Sequence, residues 1–428
     1  MKERIAIIDG IRTPFCKSGG NFKDIQADDL GASILRELMF RSSLDYKDID
    51  EVIFGNVAQP GGAANIARIV SLKAGFPMST IAYTVHRNCA SGMESITTAA
   101  NKILAGEASI IAAGGTESMS QIPLLFNKKM TTFFENMMRA KSLTQKLKIL
   151  CSFRLSHLAP VIGIVEGLTD PVCGLNMGST AEVLSREFKV NREEQDQYAL
   201  DSHLKASRAI EKALLQEEIH PIPKPPFKES QLIDDGPRQS QTIEALQKLK
   251  PYFDRDAGTV TVGNACPITD GAGAVLLMSE SKAKEMQLPV MGYLNSYAYA
   301  GLEGNRMGLG PVYATSKLMD KKGFTMNDFE LIEMNEAFAA QIIANERAFA
   351  SDSFAQKYLN KSQKVGEIDR SILNVNGGAI ALGHPVGTTG TRLVITLLKE
   401  LKRQNKNCGL ATLCIGGGQG AALALEVE

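Results

Sequence analysis

Short apolar runs alternate with longer stretches of helical spacing. Residues 5–8, 51–54 and 109–113 are apolar and β-rich, and read as buried strands, while 30–39 and 92–104 carry apolar positions at helical intervals. Such alternation predicts a layered α/β fold. After Gly114-Gly115-Thr116-Glu117 the pattern becomes irregular, rich in Met and Lys, and stays so to about 258, passing through the proline-rich stretch 221–226. This reads as an inserted domain or elaborate loop region, not a linker. Within it Asn191 caps a predicted helix, Glu193 and Glu194 suit its positive end, and an apolar stripe runs over 198–219. Strand patterns resume at 258–262 and 274–278.

The chain also resembles itself. Asp45-Tyr-Lys-Asp-Ile-Asp-Glu-Val-Ile-Phe54 aligns with Thr325-Met-Asn-Asp-Phe-Glu-Leu-Ile-Glu-Met334, each a loop followed by a strand. Cys89-Ala-Ser-Gly92, a helical run and the strand 106–115 parallel His384-Pro-Val-Gly387, a helical run and 408–417. Each half closes in a small-residue strand, 270–278 and 419–425. The order of elements matches as well, so two copies of one α/β unit are expected, the first interrupted by the insertion.

Composition narrows the function. A length of 428 residues suggests two or three domains with ample cores, and 47 basic against 47 acidic residues leave no basic field for nucleic acid. Seven cysteines without a C-x-x-C pair fit neither a disulfide framework nor a zinc site, and are expected to be reduced thiols. The amino end lacks the pattern of a signal or transit peptide, and the most apolar stretch, 158–168, is short and contains Glu166, so a cytoplasmic protein is expected. Glycine is in excess, 38 residues, and gathers at the ends of apolar runs.

Those glycine-rich turns hold the reactive side chains. Cys89 and His384 occupy matching places in the repeat, each at a turn entering a helix, where a helix amino end and a nearby imidazole would lower a thiol's pKa below about 8.5. That pairing makes a nucleophile and its base, although either residue taken singly also reads as core. Cys414 ends a strand in Cys-Ile-Gly-Gly-Gly-Gln-Gly, where free amides could hold an oxyanion and the thiol could exchange a proton; Asn335 is a polar group at another strand end. The glycines form no P-loop, no dinucleotide fingerprint and no G-x-S-x-G elbow.

Taken together, Asn88-Cys89-Ala-Ser-Gly, Asn335-Glu-Ala-Phe, Gly383-His384-Pro and Cys414-Ile-Gly-Gly-Gly-Gln-Gly, in this order, resemble the thiolase family over essentially the whole chain. The resemblance implies the thiolase fold: duplicated five-stranded α/β halves in layers with an inserted loop domain. The expected divisions are 1–120 with 259–281, the insertion at 121–258, and 282–428. It further implies that Cys89 is acylated, that His384 activates Cys89 and later the thiol of coenzyme A, and that Cys414 is the acid/base at the acetyl α-carbon. By the same resemblance Asn335 holds a water that, with His384, stabilises the thioester enolate, and the amides of Cys89 and Gly416 form the oxyanion hole. Met177, Cys266, Ala337 and Phe338 are the expected contacts to acyl chain and coenzyme A. No metal and no tightly bound cofactor is expected, coenzyme A being a substrate. The resemblance also implies a homodimer or a dimer of dimers.

Two positions depart from the family pattern. Asn176 stands where short-chain biosynthetic members usually have His, and Cys266 replaces a Ser that commonly contacts pantetheine. The insertion and the segment 349–369 resemble the β-subunit of fatty-acid-oxidation complexes, which makes a hydratase/dehydrogenase α-subunit an expected partner, while Asn335 departs from the His often found in those complexes. The expected activity is thiolytic cleavage of 3-ketoacyl-CoA in β-oxidation; the alternatives are an acetoacetyl-CoA thiolase working in condensation and a non-catalytic lipid-binding relative. Finally, Lys128, Lys129, Arg139, Lys141, Lys146, Lys148 and Arg154 are met only by Glu135, and Leu143, Leu147, Leu150, Cys151 and Leu155 share a helical face. Residues 128–155 are therefore expected to meet a membrane surface or a partner, the alternatives being a solvated cover or a dock for the phosphates of coenzyme A.

Overall fold

The computed structural model describes residues 3–428. Its ten-stranded sheet runs in the order Leu331–Met334, Cys408–Ile415, Gln419–Glu426, Gly292–Gly301, Ile5–Arg12, Thr269–Ser279, Ile110–Ser118, Glu51–Gly55 and Ile81–Val85, with Cys16–Lys17 beside Thr269–Ser279. This order mirrors itself about its centre. From Ile5–Arg12 outward the pairings are antiparallel, antiparallel and parallel, and from Gly292–Gly301 outward they repeat that sequence. The first half ends in the parallel strand Ile81–Val85, the second in a parallel bridge from Ile332 to Leu373. Antiparallel pairing of Ile5, Ala6 and Ile7 with Leu294, Tyr293 and Gly292 joins the halves.

Side-chain alternation along these strands builds the layers. Ile110 and Ala112 face an apolar cluster with Leu30, Leu35 and Val70, while Ile111 and Ala113 face another with Met93, Ile96 and Leu397. In the second half Leu413 and Leu423 join that middle cluster, and Leu410 and Ala422 face a third with Val312 and Ile342. Helices therefore cover both outer faces and fill the space between the halves. The middle layer is formed by Ser91–Leu104 and Thr389–Arg403. Their second residues, Gly92 and Gly390, meet reciprocally: a methyl on Gly92 would lie 2.6 Å from Thr391 Oγ1, and one on Gly390 2.5 Å from the Met93 nitrogen. Close approach of these two helix starts is what sets the reactive loops side by side.

The internal repeat reaches down to the caps. Asp45 and Asp48 close a capping box on a one-turn 3-10 helix before Glu51–Gly55, and Thr325 and Asp328 do the same before Leu331–Met334. Asn191 caps Arg192–Glu211 by accepting from the Glu194 amide, with Glu194 returning to the Asn191 amide. That helix stops short of the expected 219, because Ala213 turns to positive φ and the chain continues into a 3-10 turn that buries Leu215 and Ile219. Residues 258–262 form no strand: the amides of Thr259 and Val260 are taken by the buried carboxylate of Glu182 at 2.8 to 3.1 Å, not by a neighbouring strand.

Contacts divide the chain into two units, one of residues up to Gln121 and from Asp170 on, the other Ile122–Thr169. The self-contained piece is thus shorter than the 121–258 insertion read from the sequence; 170–258 belongs to the main unit. Ile122–Thr169 holds the helices Lys128–Arg139 and Leu143–Cys151, flanked by two short strands, Leu124–Phe126 and Pro160–Ile162, that pair antiparallel. Of the apolar face read from the sequence, Leu143, Leu147, Leu150 and Cys151 are exposed on the helix Leu143–Cys151, but Leu155 does not share it: the helix ends at Cys151 and the exposed Leu155 opens a separate 3-10 turn, Leu155–His157. No helix among the described residues is long and apolar enough to cross a membrane.

Candidate active site

The loop bearing Cys89 is a tight turn. Asn88 adopts φ 44°, its carbonyl accepts from the Ser91 hydroxyl at 2.7 Å, and its side-chain amide donates to the Gly416 carbonyl at 2.7 Å. The last bond ties the loop bearing Cys89 to the loop following Cys414. The amides of Cys89 and Gly416 both act to lower the pKa of the Cys89 thiol. Two convergent N–H groups are what an oxyanion next to this sulfur requires.

His384 is buried, and its tautomer can be read from its neighbours. Nδ1 lies 2.6 Å from Thr389 Oγ1, and that hydroxyl donates to the Pro385 carbonyl at 3.1 Å. A hydroxyl has one proton: the tautomer in which Thr389 gives it to the carbonyl and accepts from Nδ1–H leaves Nε2 a free lone pair. Burial and then the buried Arg392 push His384 down to about 4, so the ring is neutral at physiological pH. A neutral imidazole of this kind can accept a proton.

The structure corrects two expectations. Cys89 lies two residues before the first residue of its helix and His384 five before its own, so the two are not strict counterparts. Nor does the thiol of Cys89 fall below its ordinary value: burial raises it, and the two amides only partly compensate. A thiol raised in this way is protonated at physiological pH and needs a base before it can act as a nucleophile.

The other predicted residues converge through backbone links. The His384 amide donates to the Pro267 carbonyl at 3.2 Å, the Cys266 amide to Ala337 at 3.0 Å, and the Ala339 amide to Asn264 at 2.9 Å. These bonds join the loop of His384, the Cys266 segment and the segment that follows Asn335. Cys414, Ala337 and Phe338 share one apolar cluster with Ala265, against which Met177 packs. Met177 Sδ is the neighbour nearest to where a side chain on Gly416 would start, at 3.2 Å. Burial raises all three thiols of Cys89, Cys266 and Cys414, Cys266 to about 12, and each of the latter two is raised further by Cys89. Asn335 is fully buried, and neither atom of its side-chain amide has a protein partner. Both are therefore free for a ligand or a bound water. Asn176, by contrast, caps the helix Met177–Glu187 through the Ser179 amide at 2.8 Å. All seven cysteines are free thiols.

Sequence reading missed the groups that hold this arrangement. Glu336 is buried and accepts from Tyr198, Ser202, Asn374 and the Ile380 amide, fixing the glycine-rich loop before His384. Glu117 holds the same loop after His384 through the Gly387 amide at 2.8 Å. Acidic residues inside otherwise apolar strand ends were the available signal.

Known proteins share this architecture. A family model described as the thiolase N-terminal domain matches residues 5–281, and one described as the thiolase C-terminal domain matches 288–427. A 3-ketoacyl-CoA thiolase of Photorhabdus laumondii is 44% identical over 427 residues, covering 100% of this chain and 97% of its own. One from Yersinia pestis is 43% identical with the same coverage. Among solved structures, the acetyl-CoA acetyltransferase of Bacillus anthracis superposes with a TM-score of 0.86 at 36% identity, covering 99% of both chains. Human mitochondrial 3-ketoacyl-CoA thiolase gives 0.86 at 35% identity, covering 99% of this chain and 98% of that one, and its complex with CoA gives 0.85 at 35% identity, covering 100% and 98%.

Proposed function

The chain belongs to the thiolase family, and from that premise we propose that it is a degradative 3-ketoacyl-CoA thiolase, an acyltransferase that shortens acyl chains in fatty-acid β-oxidation. The observation that supports the mechanism is the buried, neutral His384, whose Nδ1 is held by Thr389 Oγ1, together with the bond from Asn88 to the Gly416 carbonyl that ties the loop of Cys89 to the one following Cys414.

Cys89 Sγ attacks the 3-keto carbon as its proton passes to His384 Nε2, and the resulting oxyanion is held by the amides of Cys89 and Gly416. Collapse breaks the bond between C2 and C3 and leaves the electron pair on an acetyl-CoA enolate. A water on Asn335, with His384, holds the enolate oxygen while Cys414 delivers a proton to C2; acetyl-CoA then leaves. The imidazolium reprotonates Cys414. In the second half His384 takes the proton of incoming coenzyme A, whose sulfur attacks the Cys89 thioester and releases the shortened acyl-CoA, and Cys89 recovers that proton. Coenzyme A is a substrate throughout, and no tightly bound cofactor or metal takes part. Met177 and Phe338 flank the acyl chain, and Cys266 with Ala337 lies on the coenzyme A side. The test is turnover of 3-ketoacyl-CoA substrates from four to sixteen carbons. Rates that hold or rise with chain length support the reading; activity confined to acetoacetyl-CoA favours the condensing enzyme, a reading prompted by the equal match to the Bacillus anthracis acetyltransferase.

The same proposal includes a homodimer or dimer of dimers, for which Ile81–Val85 offers an unpaired sheet edge with partly exposed residues along its length. A cytoplasmic location accords with seven free thiols. For Ile122–Thr169 the proposed occupant is an anionic membrane surface. This unit carries seven basic residues against Glu135 and Glu166, and half of the exposed large apolar side chains among the described residues. Flotation with phosphatidylglycerol vesicles but not phosphatidylcholine, lost on changing Lys141, Lys146 and Lys148 to Glu, supports it. Salt-insensitive failure to float, or binding only to a hydratase/dehydrogenase α-subunit, rejects it.

A further inference from the structure

Two halves supply the active site: the first carries Cys89, the second His384, Asn335 and Cys414. Something must hold them in register, and the strand Ile110–Ser118 provides it. Glu117 is fully buried near the end of this first-half strand. Its Oε1 accepts from Asn56 Nδ2 and the Ala58 amide, each at 3.0 Å; its Oε2 accepts from the Val57 amide at 3.0 Å and the Gly387 amide at 2.8 Å. Three of these donors belong to the first half. The fourth belongs to the second, and it lies between His384 and Thr389, the residue that fixes the imidazole.

The approach leaves no room for slack. A side chain on Gly387 would begin 2.8 Å from Glu117 Oε2, and one on Gly115 would begin 2.0 Å from the Gly387 carbonyl. The strand therefore grips the base loop by backbone contact on one side and by a carboxylate on the other. We infer that Glu117 is a positioning residue for catalysis, coupling the nucleophile's half of the molecule to the loop that aims His384.

Its electrostatics fit the role. Burial raises Glu117 to about 7 against the three amides that stabilise its charge, and the titratable groups facing it are Asp270 on the adjacent strand and the Cys89 thiol. When charged, Glu117 accepts four hydrogen bonds. When protonated it becomes a donor on one oxygen and must release at least one of them.

The inference rests on the thiolase reading, and the experiment separates the two. In Glu117→Gln the amide nitrogen replaces an acceptor of two N–H groups while size is kept. The expected result is kcat lower by roughly tenfold or more with KM for both substrates within about twofold. The ratio of wild-type to variant kcat is also expected to be larger at pH 8 than at pH 6, since protonation brings the wild type toward the variant. A lowered melting temperature with unchanged kcat per acylatable Cys89, a raised KM with unchanged kcat, or a ratio that does not move with pH overturns it. Should Glu117→Gln fail to fold, Asn56→Ser, which removes one of the four donors, is measured in the same way, and unchanged kcat overturns the inference. Failure of the thiolase reading would show separately, as no acylation of Cys89 even in the wild type.

Discussion

Replacing Thr389 with Val tests the tautomer argument directly. The two side chains have nearly the same shape, so the change removes the 2.6 Å partner of His384 Nδ1 while leaving the packing at the start of Thr389–Arg403 intact. A buried donor without an acceptor costs about 1 to 3 kcal/mol. The imidazole escapes that cost by moving its proton to Nε2, and in that form it has no lone pair to offer Cys89. Each 1.36 kcal/mol by which the base-competent tautomer is disfavoured lowers the rate about tenfold, so kcat for thiolysis is expected to fall roughly five- to a hundredfold. Rapid mixing with a 3-ketoacyl-CoA, following acetyl-CoA release and Cys89 acylation in one turnover, reads the affected step. KM stays within about twofold because the contact is not to substrate. Thr389→Ser keeps the hydroxyl and restores most of the rate. A Thr389→Val enzyme whose single-turnover rate stays within about twofold of wild type would refute the reasoning, whatever happens to its melting temperature.

Other outcomes follow from the same geometry. Cys414→Ala removes the proton donor to C2 but nothing needed for thioester exchange, so thiolysis is expected to fall by about a hundredfold or more while exchange of labelled coenzyme A into a saturated acyl-CoA persists; equal loss of both would contradict the assigned role. His203, buried on Arg192–Glu211 and accepting from the Arg238 amide at 3.3 Å, is pushed down to about 4 by burial. Its unfolded-state counterpart takes up a proton first, so the native state loses stability as pH falls from about 6.5 to 4, by roughly 3 kcal/mol at most for this one group. Urea unfolding at pH 7 and pH 4.5 should therefore show the stability difference between wild type and His203→Asn shifting in the variant's favour at the lower pH; a difference independent of pH would contradict the burial argument.

How much of this is legible in the sequence depends on the range of the interaction. The repeat of Asp45 to Phe54 in Thr325 to Met334 is local, and it survives in the structure down to the capping boxes. The reactive motifs are also local, each a short string whose glycines mark it. What the sequence hides is how distant strings meet. That the amides of Thr259 and Val260 go to Glu182 turns an apparent strand into a loop. The offset between Cys89 and His384 appears only once the starts of their helices are fixed by Gly92 and Gly390. Glu117 and Glu336 look like ordinary strand-end acids until distant amides reach them, that of Gly387 from the other half and that of Ile380 from the same half. Even the direction in which Cys89 titrates depends on burial, which its position before a helix does not reveal.

The central claim is a covalent acyl intermediate on Cys89, resolved by coenzyme A. Its most direct test is intact and peptide mass spectrometry of the protein mixed with a 3-ketoacyl-CoA in the absence of free coenzyme A. The account predicts a mass increase equal to the acyl group shortened by two carbons, mapped to Cys89 and removed on adding coenzyme A. No adduct, or one mapped to Cys266 or Cys414 in place of Cys89, would contradict it.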